Sequence, residues 1–392
     1  MAPHKPGTPQ LMKQMNRAMV IDILTKIGPV SQTYICELTG LSRATVSTIV
    51  SELRKEELIL EVDRLSSKSG RRRVLLELNA EAGYVIGIDL GGTKMAGAVT
   101  NLRGKVILRL KESTNAKAGP EAVFESLVQF IKRLITESKV EHRKVKGVGI
   151  GVPGIVVNKG TVQWAPALNW KDFPLANELK RYLDFPVYVE NDVNLQALGE
   201  YWYGSGQGVD VLVCLAIGTG LGAGIIINGQ LFTGTHQAAG EVCNMVANIS
   251  QLGKNYPGFG FLESQASGNA LATRFADICP SAPDNIDAEY VFERARNGDS
   301  QAVAVIDDFT RHLALAIVGI ATVLDPGLIV LGGGVAQGAD LFLSQLEAYA
   351  SPVLQVMPRL VTTQLGAEAG VMGAVALTLH NTNEDPLRSI TS

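Results

Sequence analysis

The first 78 residues alternate apolar and polar positions in a pattern that predicts three helices followed by two strands. Residues 14–28 place most of their apolar side chains on one helical face, and a Gly-Pro pair stops this helix. Ser31 is placed to cap a second short helix that Gly40 ends. Ser42 is placed to cap a third helix, over 43–58. Two helices joined by so short a turn are typical of a helix-turn-helix.

The third helix has one apolar face and one face of short polar side chains. We expect the apolar face to be buried; it consists of Val46, Ile49, Val50 and Leu53. Short side chains let a helix enter the DNA major groove, where residues near its N-terminus meet base edges. The candidate DNA-binding residues here are Ser42, Arg43, Ala44, Thr45, Ser47 and Thr48. Considered alone, this helix could equally be an ordinary one with a solvated face.

Two strand-like runs, 59–63 and 74–78, follow this helix and enclose the basic segment 64–73. A hairpin tip with five basic residues suits a wing that binds the phosphate backbone by charge, without reading sequence. Its candidate DNA-binding residues are Lys68, Arg71, Arg72 and Arg73. A basic loop without that role is the alternative. The order of the elements favours a winged helix-turn-helix over 11–79 that binds DNA, after an arm over 1–10 expected to be disordered.

A change in composition near 79–83 marks the start of a region with several glycine-rich turns. The first turn lies between two strand-like runs and contains Asp89, Gly91, Gly92, Thr93 and Lys94. Glycines let backbone N–H groups approach phosphate oxygens closely, and the Thr hydroxyl and Lys ammonium add donors. A single turn of this kind is a weak signal, because most glycine pairs are only turns.

Two further turns repeat the arrangement. Gly218, Thr219 and Gly220 join two strand-like runs, whereas Gly333 and Gly334 join an apolar strand to a helix. Three such turns, spread over both halves of the region, favour a duplicated nucleotide-binding fold with a cleft between two lobes.

Composition and charge mainly exclude other classes of protein. Of the 392 residues, 46% are hydrophobic and 19% charged, which is ordinary for a globular protein. The net charge is −3, but residues 1–78 carry 12 Lys and Arg against 8 Asp and Glu, a basic end on an acidic body. Four scattered cysteines, a polar N-terminus and the lack of a long apolar run predict a cytoplasmic protein that does not enter a membrane.

Eight short motifs along the chain resemble those of the ROK family of repressors, open reading frames and sugar kinases. They are IDLGGTK (88–94), VPGIV (152–156), LNW (168–170), ENDVN (190–194), IGTGLGAG (217–224), AGE (239–241), LE (262–263) and LGGGV (331–335). The resemblance extends over about 12–380 and is to the DNA-binding branch, which includes the xylose and N-acetylglucosamine repressors.

This resemblance implies an α/β fold of two lobes, the ATPase fold shared with actin and hexokinase. The small lobe is expected over 80–195, completed by a C-terminal helix within 366–382. The large lobe is expected over 196–365. Its helix 301–325 should lie mostly in the core and contribute to a dimerisation surface.

The resemblance also assigns a sugar site. Asp192 matches the general base of the family's kinases, which accepts the proton of the attacking sugar hydroxyl. Asn191, Glu241 and Glu263 match residues that hold sugar hydroxyls, and Asn169 is expected nearby. The alternative is that Asn191 and Asp192 only cap the helix that they open.

The chain departs from the family where a structural zinc site is usual. A Gly-His pair and a cluster of three cysteines are replaced by Cys243-Asn244 and a stretch, 254–261, that contains no cysteine. One cysteine cannot form a tetrahedral site, so we expect no zinc. We expect apolar packing of Tyr256, Phe259 and Phe261 to brace this loop instead.

The same departure affects the sugar site, because the replaced His touches the sugar in family kinases. Asn244 still offers a donor and an acceptor but cannot titrate, so the preferred sugar is expected to differ from glucose. His236 lies nearby in sequence, and we interpret it as a packing or loop residue rather than a replacement ligand.

Three functions stay open at this point. The favoured one is a sugar-responsive regulator, a homodimer or homotetramer whose operator affinity changes when a sugar closes the cleft. The second is an ATP-dependent hexose kinase with an added DNA-binding domain, for which Mg-ATP would be the cofactor. The third is a sensor held by a protein partner, which no residue identifies. DNA binding itself is expected to need no cofactor.

Overall fold

The computed structural model describes residues 9–63, 74–256 and 260–382. Its N-terminal head contains three helices, α1 (Pro9–Ile27), α2 (Gln32–Thr39) and α3 (Arg43–Lys55). Helix α1 begins at Pro9, so two residues of the expected disordered arm are helical and the rest of that arm lies outside the described residues. Helix α3 ends at Lys55, before the predicted residue 58.

The predicted caps of the head are confirmed. The Ser31 hydroxyl accepts a hydrogen bond from the Tyr34 backbone N–H at 3.2 Å, and the Ser42 hydroxyl accepts one from Thr45 at 3.1 Å. Gly40 ends α2 in the left-handed region, at φ 69°. The predicted apolar face of α3 is buried, as expected, at Val46, Ile49, Val50 and Leu53.

Two antiparallel strands, β1 (Ile59–Asp63) and β2 (Val74–Leu78), complete the described head. They pair from Ile59 with Leu78 to Asp63 with Val74, which is the register of a hairpin. The segment between them, with Lys68, Arg71, Arg72 and Arg73, lies outside the described residues.

The first large sheet has five strands in the order β10-β6-β3-β4-β5. Its strands are β3 (Tyr84–Leu90), β4 (Lys94–Asn101), β5 (Val106–Ser113), β6 (Val145–Val152) and β10 (Val187–Asn191). Helix α4 (Pro120–Ser138) packs on it with an apolar face that includes Leu127, Phe130 and Leu134. A small sheet of β7 (Ile155–Val157), β8 (Thr161–Ala165) and β9 (Trp170–Phe173) follows, and then helix α5 (Leu175–Leu179).

The second large sheet has the order β13-β12-β11-β14-β15. Helix α6 (Asp192–Tyr203) leads into its strands, which are β11 (Val211–Ile217), β12 (Leu221–Ile227), β13 (Gln230–Leu231), β14 (Leu328–Gly332) and β15 (Arg359–Thr362). The helices around it are α7 (Glu263–Ala266), α8 (Gly268–Ile278), α9 (Ala288–Arg296), α10 (Ser300–Leu324) and α11 (Leu343–Ala350). Helix α10 buries Phe309, Leu313 and Ile317, which confirms its predicted place in the core.

The last described helix, α12 (Ala369–Thr382), packs on β3 and β6 of the first sheet and crosses α6. The crossing is in backbone contact. A Cβ on Gly373 would overlap the backbone oxygen of Leu195, and one on Gly199 would overlap that of Ala369. Only glycine permits such an approach, so α6 and α12 form one tightly joined pair between the two sheets.

Among the described residues, no helix combines the length and the apolar character needed to cross a membrane.

Candidate functional site

A cleft of about 410 Å³ lies between the two large sheets, at the point where α6 begins. Both lobes line it. The first contributes the segment before β7 and residues around β8, and the second contributes the turn between β11 and β12 and the chain near α7. Its polar side chains are Asn191, Asp192, Asn194, Gln196, Thr219, Gln237, Glu241, Glu263 and Asn269.

Asp192 begins α6 at the bottom of this cleft. Its Oδ1 accepts hydrogen bonds from the Val193 backbone N–H at 2.9 Å and from Asn191 Nδ2 at 3.2 Å. Burial raises the pKa of Asp192 to about 7, and the negative charge of Asp89 adds to the increase, against the opposing hydrogen bond from Val193. A carboxyl group with a pKa near neutrality is well suited to accept a proton from a hydroxyl.

Asp89 lies near the end of β3, close to Asp192. Burial raises the pKa of Asp89 to about 6, and the positive charge of Lys94 opposes this increase. Gly370 of α12 lies directly against Asp89, because a Cβ on that glycine would come within 3.0 Å of the carboxyl carbon. The carboxyl groups of Asp192 and Asp89 thus lie at the starts of α6 and α12, and only Asp192 lines the cleft.

Asn191 has a structural role that its place in the cleft wall does not reveal. Its Oδ1 accepts hydrogen bonds from the Val193 and Asn194 backbone N–H groups at 2.9 and 3.0 Å, and its Nδ2 donates to the Gly154 carbonyl at 2.9 Å. The capping interpretation is therefore confirmed for Asn191, although the residue also lines the cleft.

Glu241 and Glu263 face the cleft from the second lobe. Glu263 Oε2 accepts the Leu221 backbone N–H at 3.0 Å, which fixes the glycine turn between β11 and β12. Glu241 Oε2 accepts a hydrogen bond from the Cys243 thiol at 3.4 Å. Burial and the charge of Glu241 raise the pKa of that thiol to about 12, so Cys243 remains a protonated donor at neutral pH.

Two of the sugar-site candidates belong to the described part of the chain but do not line the cleft. Asn169 is exposed and follows a short 3₁₀ turn in the left-handed region, at φ 55°. Asn244 is also exposed and lies against Gly260. Contact of either side chain with a ligand stays a prediction.

The phosphate-site candidates divide in the same way. Gly218, Thr219, Gly220 and Gly333 line the cleft. Gly333 must be glycine, because its φ is 80° and a Cβ would overlap the Ile217 carbonyl oxygen. The first glycine turn does not line the cleft; it contains Gly91, Gly92, Thr93 and Lys94. Its Gly92 packs against Ala167, which does line the cleft. Asp89 and Gly334 are likewise not among the residues that line the cleft.

The candidate DNA-binding face of α3 is accessible. Ser42, Arg43, Ala44, Ser47 and Thr48 are exposed, and Thr45 is partly buried. The Thr48 hydroxyl donates to the Ala44 carbonyl at 3.0 Å, and the Ser42 and Thr45 hydroxyls lie 2.9 Å apart. This face presents small side chains and one guanidinium group, as major-groove contact requires.

Sequence reasoning did not name several polar and aromatic residues of the cleft wall, which are Trp164, Asn194, Gln196, Gln237 and Asn269. Gln196 lies one helical turn after Asp192, so its spacing could have placed it on the same face of α6. Gln237 and Asn269 come from loops and from a helix start that no motif links to the site. Trp164 projects from β8 with 45% of its surface exposed, and it lines the cleft mouth.

Within residues 9–63, 74–256 and 260–382, no group of three His, Cys, Asp or Glu side chains could hold a metal ion. The absence of zinc stays a prediction, since part of the loop lies outside those ranges. The expected bracing is confirmed for Tyr256 and Phe261, whose rings meet edge to face at 5.4 Å. Phe259 lies outside the described residues.

The sequence model of the ROK family matches residues 85–381, which include both large sheets and the whole cleft wall. The chain belongs to the ROK family. The predicted fold class is confirmed, with an N-terminal helical head joined to a ROK body of the sugar-kinase type.

Three known proteins are similar to this chain, and they differ in how much of it they cover. The xylose repressor of Caldicellulosiruptor bescii is 30% identical, over 96% of this chain and 98% of its own. A solved ROK transcriptional regulator, a homologue of the E. coli MLC protein, superimposes with a TM-score of 0.83 at 26% identity, over 97% and 99% of the two chains. The Streptomyces griseus ROK glucokinase, solved with glucose and AMPPNP, gives 0.64 at 32% identity but covers only 75% of this chain and 99% of its own.

Proposed function

We propose that this chain is a sugar-responsive transcriptional repressor that binds operator DNA through its head and a sugar through the ROK cleft. The observation that carries the proposal is the combination of a helix-turn-helix head and a ROK body in one chain. The xylose repressor and the transcriptional regulator match this combination over nearly the whole chain. The glucokinase matches three quarters of it.

For DNA recognition we assign the exposed N-terminal part of α3 to the major groove, with Arg43 as its one charged contact. The basic segment 64–73 would hold the phosphate backbone beside it. Operator sites for such heads are two-fold symmetric, so the functional unit should be a homodimer or homotetramer. We infer a cytoplasmic location, because the DNA target of a bacterial repressor lies there.

For the effector we propose a small aldose, with D-xylose as the first candidate because the C. bescii relative is a xylose repressor. Asp192, Glu241 and Glu263 offer carboxylate acceptors to the cleft, and Gln196 adds an amide. The Asn191 amide, which is hydrogen-bonded to its protein neighbours, would hold the backbone at this edge of the site. Such acceptors suit a polyol, whose hydroxyl groups can each donate a hydrogen bond.

The test begins with duplexes selected from a random library by the full-length protein. Affinity for the selected duplex would then be measured by fluorescence anisotropy, with and without D-xylose, D-glucose and N-acetyl-D-glucosamine. We expect one sugar to weaken operator binding, and the same sugar to raise the melting temperature of the protein without ATP. Selection of no duplex, or a duplex affinity unaffected by any sugar that binds, would contradict the proposal.

Sugar kinase activity is a second candidate function, favoured by the pKa of Asp192 near 7 and by the glycine turns of the cleft. Gly218, Thr219, Gly220 and Gly333 are suitably placed to hold phosphate groups, so the residues present are compatible with Mg-ATP. Mg-ATP would supply the transferable phosphoryl group. Asp192 would accept the proton of the attacking hydroxyl, while Glu241 and Glu263 hold the sugar in place.

An Asp192→Asn variant separates the two functions. We expect the variant to lose any phosphorylation by about 10²- to 10⁴-fold while the sugar still weakens operator binding. If the variant binds the sugar normally but no longer responds to it, turnover is part of the signal and the simple sensor is wrong.

A further inference from the structure

Helix α6 begins at the cleft, and helix α12 begins beside Asp89, whose charge acts on Asp192 there. Both helices end against the DNA-binding head. Helix α6 begins with Asp192 in the cleft and contains Trp202 near its other end, about 15 Å away along the axis. Helix α12 has Gly370 against Asp89 near its start and contains Leu379 and His380 near its end. The two helix ends meet, because the Trp202 and His380 rings lie 6.1 Å apart.

The head rests on this pair of helix ends. The Lys26 ammonium, in the last turn of α1, lies 5.4 Å from the centre of the Trp202 ring, a cation–π contact. Leu379 packs against the apolar core of the head. Leu102, in the turn between β4 and β5, is itself buried in that core together with Val20 and Leu24 of α1.

Further contacts hold the same turn against α6. Gly104 lies directly on the Tyr203 ring, because a Cβ at that position would come within 2.7 Å of the Tyr203 hydroxyl oxygen. Arg103 forms an ion pair with Glu77 of β2 at 3.6 Å. The lower face of the head therefore touches α6, α12 and the β4–β5 turn at once.

The helix pair transmits displacement because its members cannot slide independently. Backbone contact at Gly199 and Gly373 leaves no space between them, and packed helices shift as units rather than deforming continuously. A ligand that contacts Asp192 at the start of α6 thereby acts on the same rigid element that supports the head.

We propose that α6 and α12 move together as a lever, so that sugar binding in the cleft changes the position of the head. Trp202, Leu379 and Lys26 form the contact between this lever and the head. This inference rests on the proposed function and adds the route by which the sugar signal reaches the DNA-binding surface. The protein binds the sugar more tightly when the head is in one of two positions than when it is in the other. The coupling is reciprocal, so operator DNA changes the affinity for the sugar by the same factor.

The first test compares the full-length protein with its Trp202→Ala and Lys26→Met variants. The quantity measured is the ratio of operator Kd with and without saturating D-xylose, or the sugar that wild type binds. We expect the wild-type ratio to lie in the usual range of about 5- to 150-fold and to fall toward about 1 in Trp202→Ala, with a smaller decrease in Lys26→Met. Operator affinity without sugar and sugar binding without DNA should both persist.

Matched controls come from exposed positions far from the contact. Tyr182→Ala removes an exposed aromatic ring and Lys132→Met removes an exposed ammonium, and both should keep the wild-type ratio. A wild-type ratio in Trp202→Ala would overturn the lever. Absence of operator or sugar binding in wild type would instead overturn the proposed function.

A spectroscopic test does not depend on the operator. A Trp164→Phe, Trp170→Phe protein retains Trp202 as its only tryptophan. We expect the sugar to change Trp202 emission, and Lys26→Met in the same background to reduce that change. Unaltered emission on saturation with a sugar that binds would contradict the lever, even if Trp202→Ala proved too unstable to study.

Discussion

The carboxyl groups of Asp89 and Asp192 repel each other at the start of α6: burial raises the pKa of Asp192, and the negative charge of Asp89 raises it further. Asp89 lies near the end of β3, and Asp192 opens α6 immediately after β10. Because β3 and β10 both belong to the first large sheet, their carboxyl ends bring the two acidic groups to the same edge of that sheet. A shared proton or a bound cation would relieve their repulsion.

The pH dependence of stability should report the raised pKa of Asp192, which burial and the charge of Asp89 cause together. The unfolded chain loses the Asp192 proton near pH 3.8, whereas the folded chain keeps it until about pH 7. The free energy of unfolding should therefore fall as pH rises through this interval and level off above it. Urea unfolding at about pH 5 and about pH 8 measures this decrease, which we expect to be smaller in Asp192→Asn. The exposed control Asp277→Asn should retain the wild-type decrease, and equal decreases in all three proteins would contradict the assignment.

Glu200, in the second half of α6, should be a major stabilising residue. Its side chain is fully buried, and its two oxygens accept hydrogen bonds from the backbone N–H groups of Ser205 and Leu365 and from the Thr363 hydroxyl. Glu200→Ala leaves these donors unpaired in the interior, at a cost of about 3 kcal/mol in the free energy of unfolding. Chemical denaturation measures the loss, and Glu125→Ala on the exposed face of α4 is the control. A change below about 1 kcal/mol would show that water replaces the carboxylate.

Thiol alkylation should distinguish the buried cysteines from the partly exposed one. Burial and the charge of Glu200 raise the pKa of Cys214, and burial raises that of Cys243 to about 12. Because the thiolate is the reactive form, iodoacetamide should label Cys36 of the folded protein and leave Cys214 and Cys243 unmodified. Peptide mass spectrometry gives the result, with urea-unfolded protein as the control in which all of them react. Rapid labelling of Cys243 in the folded protein would show that its hydrogen bond to Glu241 is not maintained.

Substitutions in the two parts of the proposed DNA-binding surface should have different effects on DNA affinity. Replacing Arg71, Arg72 and Arg73 by alanine should weaken binding to all duplexes and reduce the salt slope by about 0.9 for each phosphate that the protein then leaves unneutralised. Arg43→Ala should cost about 1–3 kcal/mol at the selected operator and leave non-specific binding nearly unchanged. Anisotropy titrations over a series of salt concentrations separate these effects. An equal decrease in affinity for operator and random DNA in Arg43→Ala would remove Arg43 from base recognition.

The helix ends of the head could be predicted because they depend on interactions between residues close together in sequence. The caps at Ser31 and Ser42 and the glycine end of α2 depend on a few neighbouring residues, so single-chain patterns suffice to place them. The start of α1 at Pro9 was missed because the residues before Gln14 include a proline and few periodic apolar positions.

The cleft was harder to predict, because its wall is built from residues distant in sequence. The motifs identified Asp192, Glu241 and Glu263, yet Gln237 and Asn269 reach the same space from segments without a signature. Asn191 lies in the cleft wall, and its predicted contact with a sugar stays a prediction, but nothing in the sequence revealed that its amide would be bonded to Gly154, 37 positions earlier. The packing of Leu102 and Leu379 against the head has no local signal either, since both could have been ordinary body residues.

Burial of Leu102 in the apolar core of the head has a consequence for protein engineering. A fragment cut at residue 79 would lose Leu102 and Leu379 from this core and expose the apolar side chains of the head that they now help to bury. Such a fragment should be less stable and more prone to aggregate than its own three helices and two strands suggest. A chimeric biosensor that joins this head to another sensor domain must therefore also include the β4–β5 turn and the end of α12.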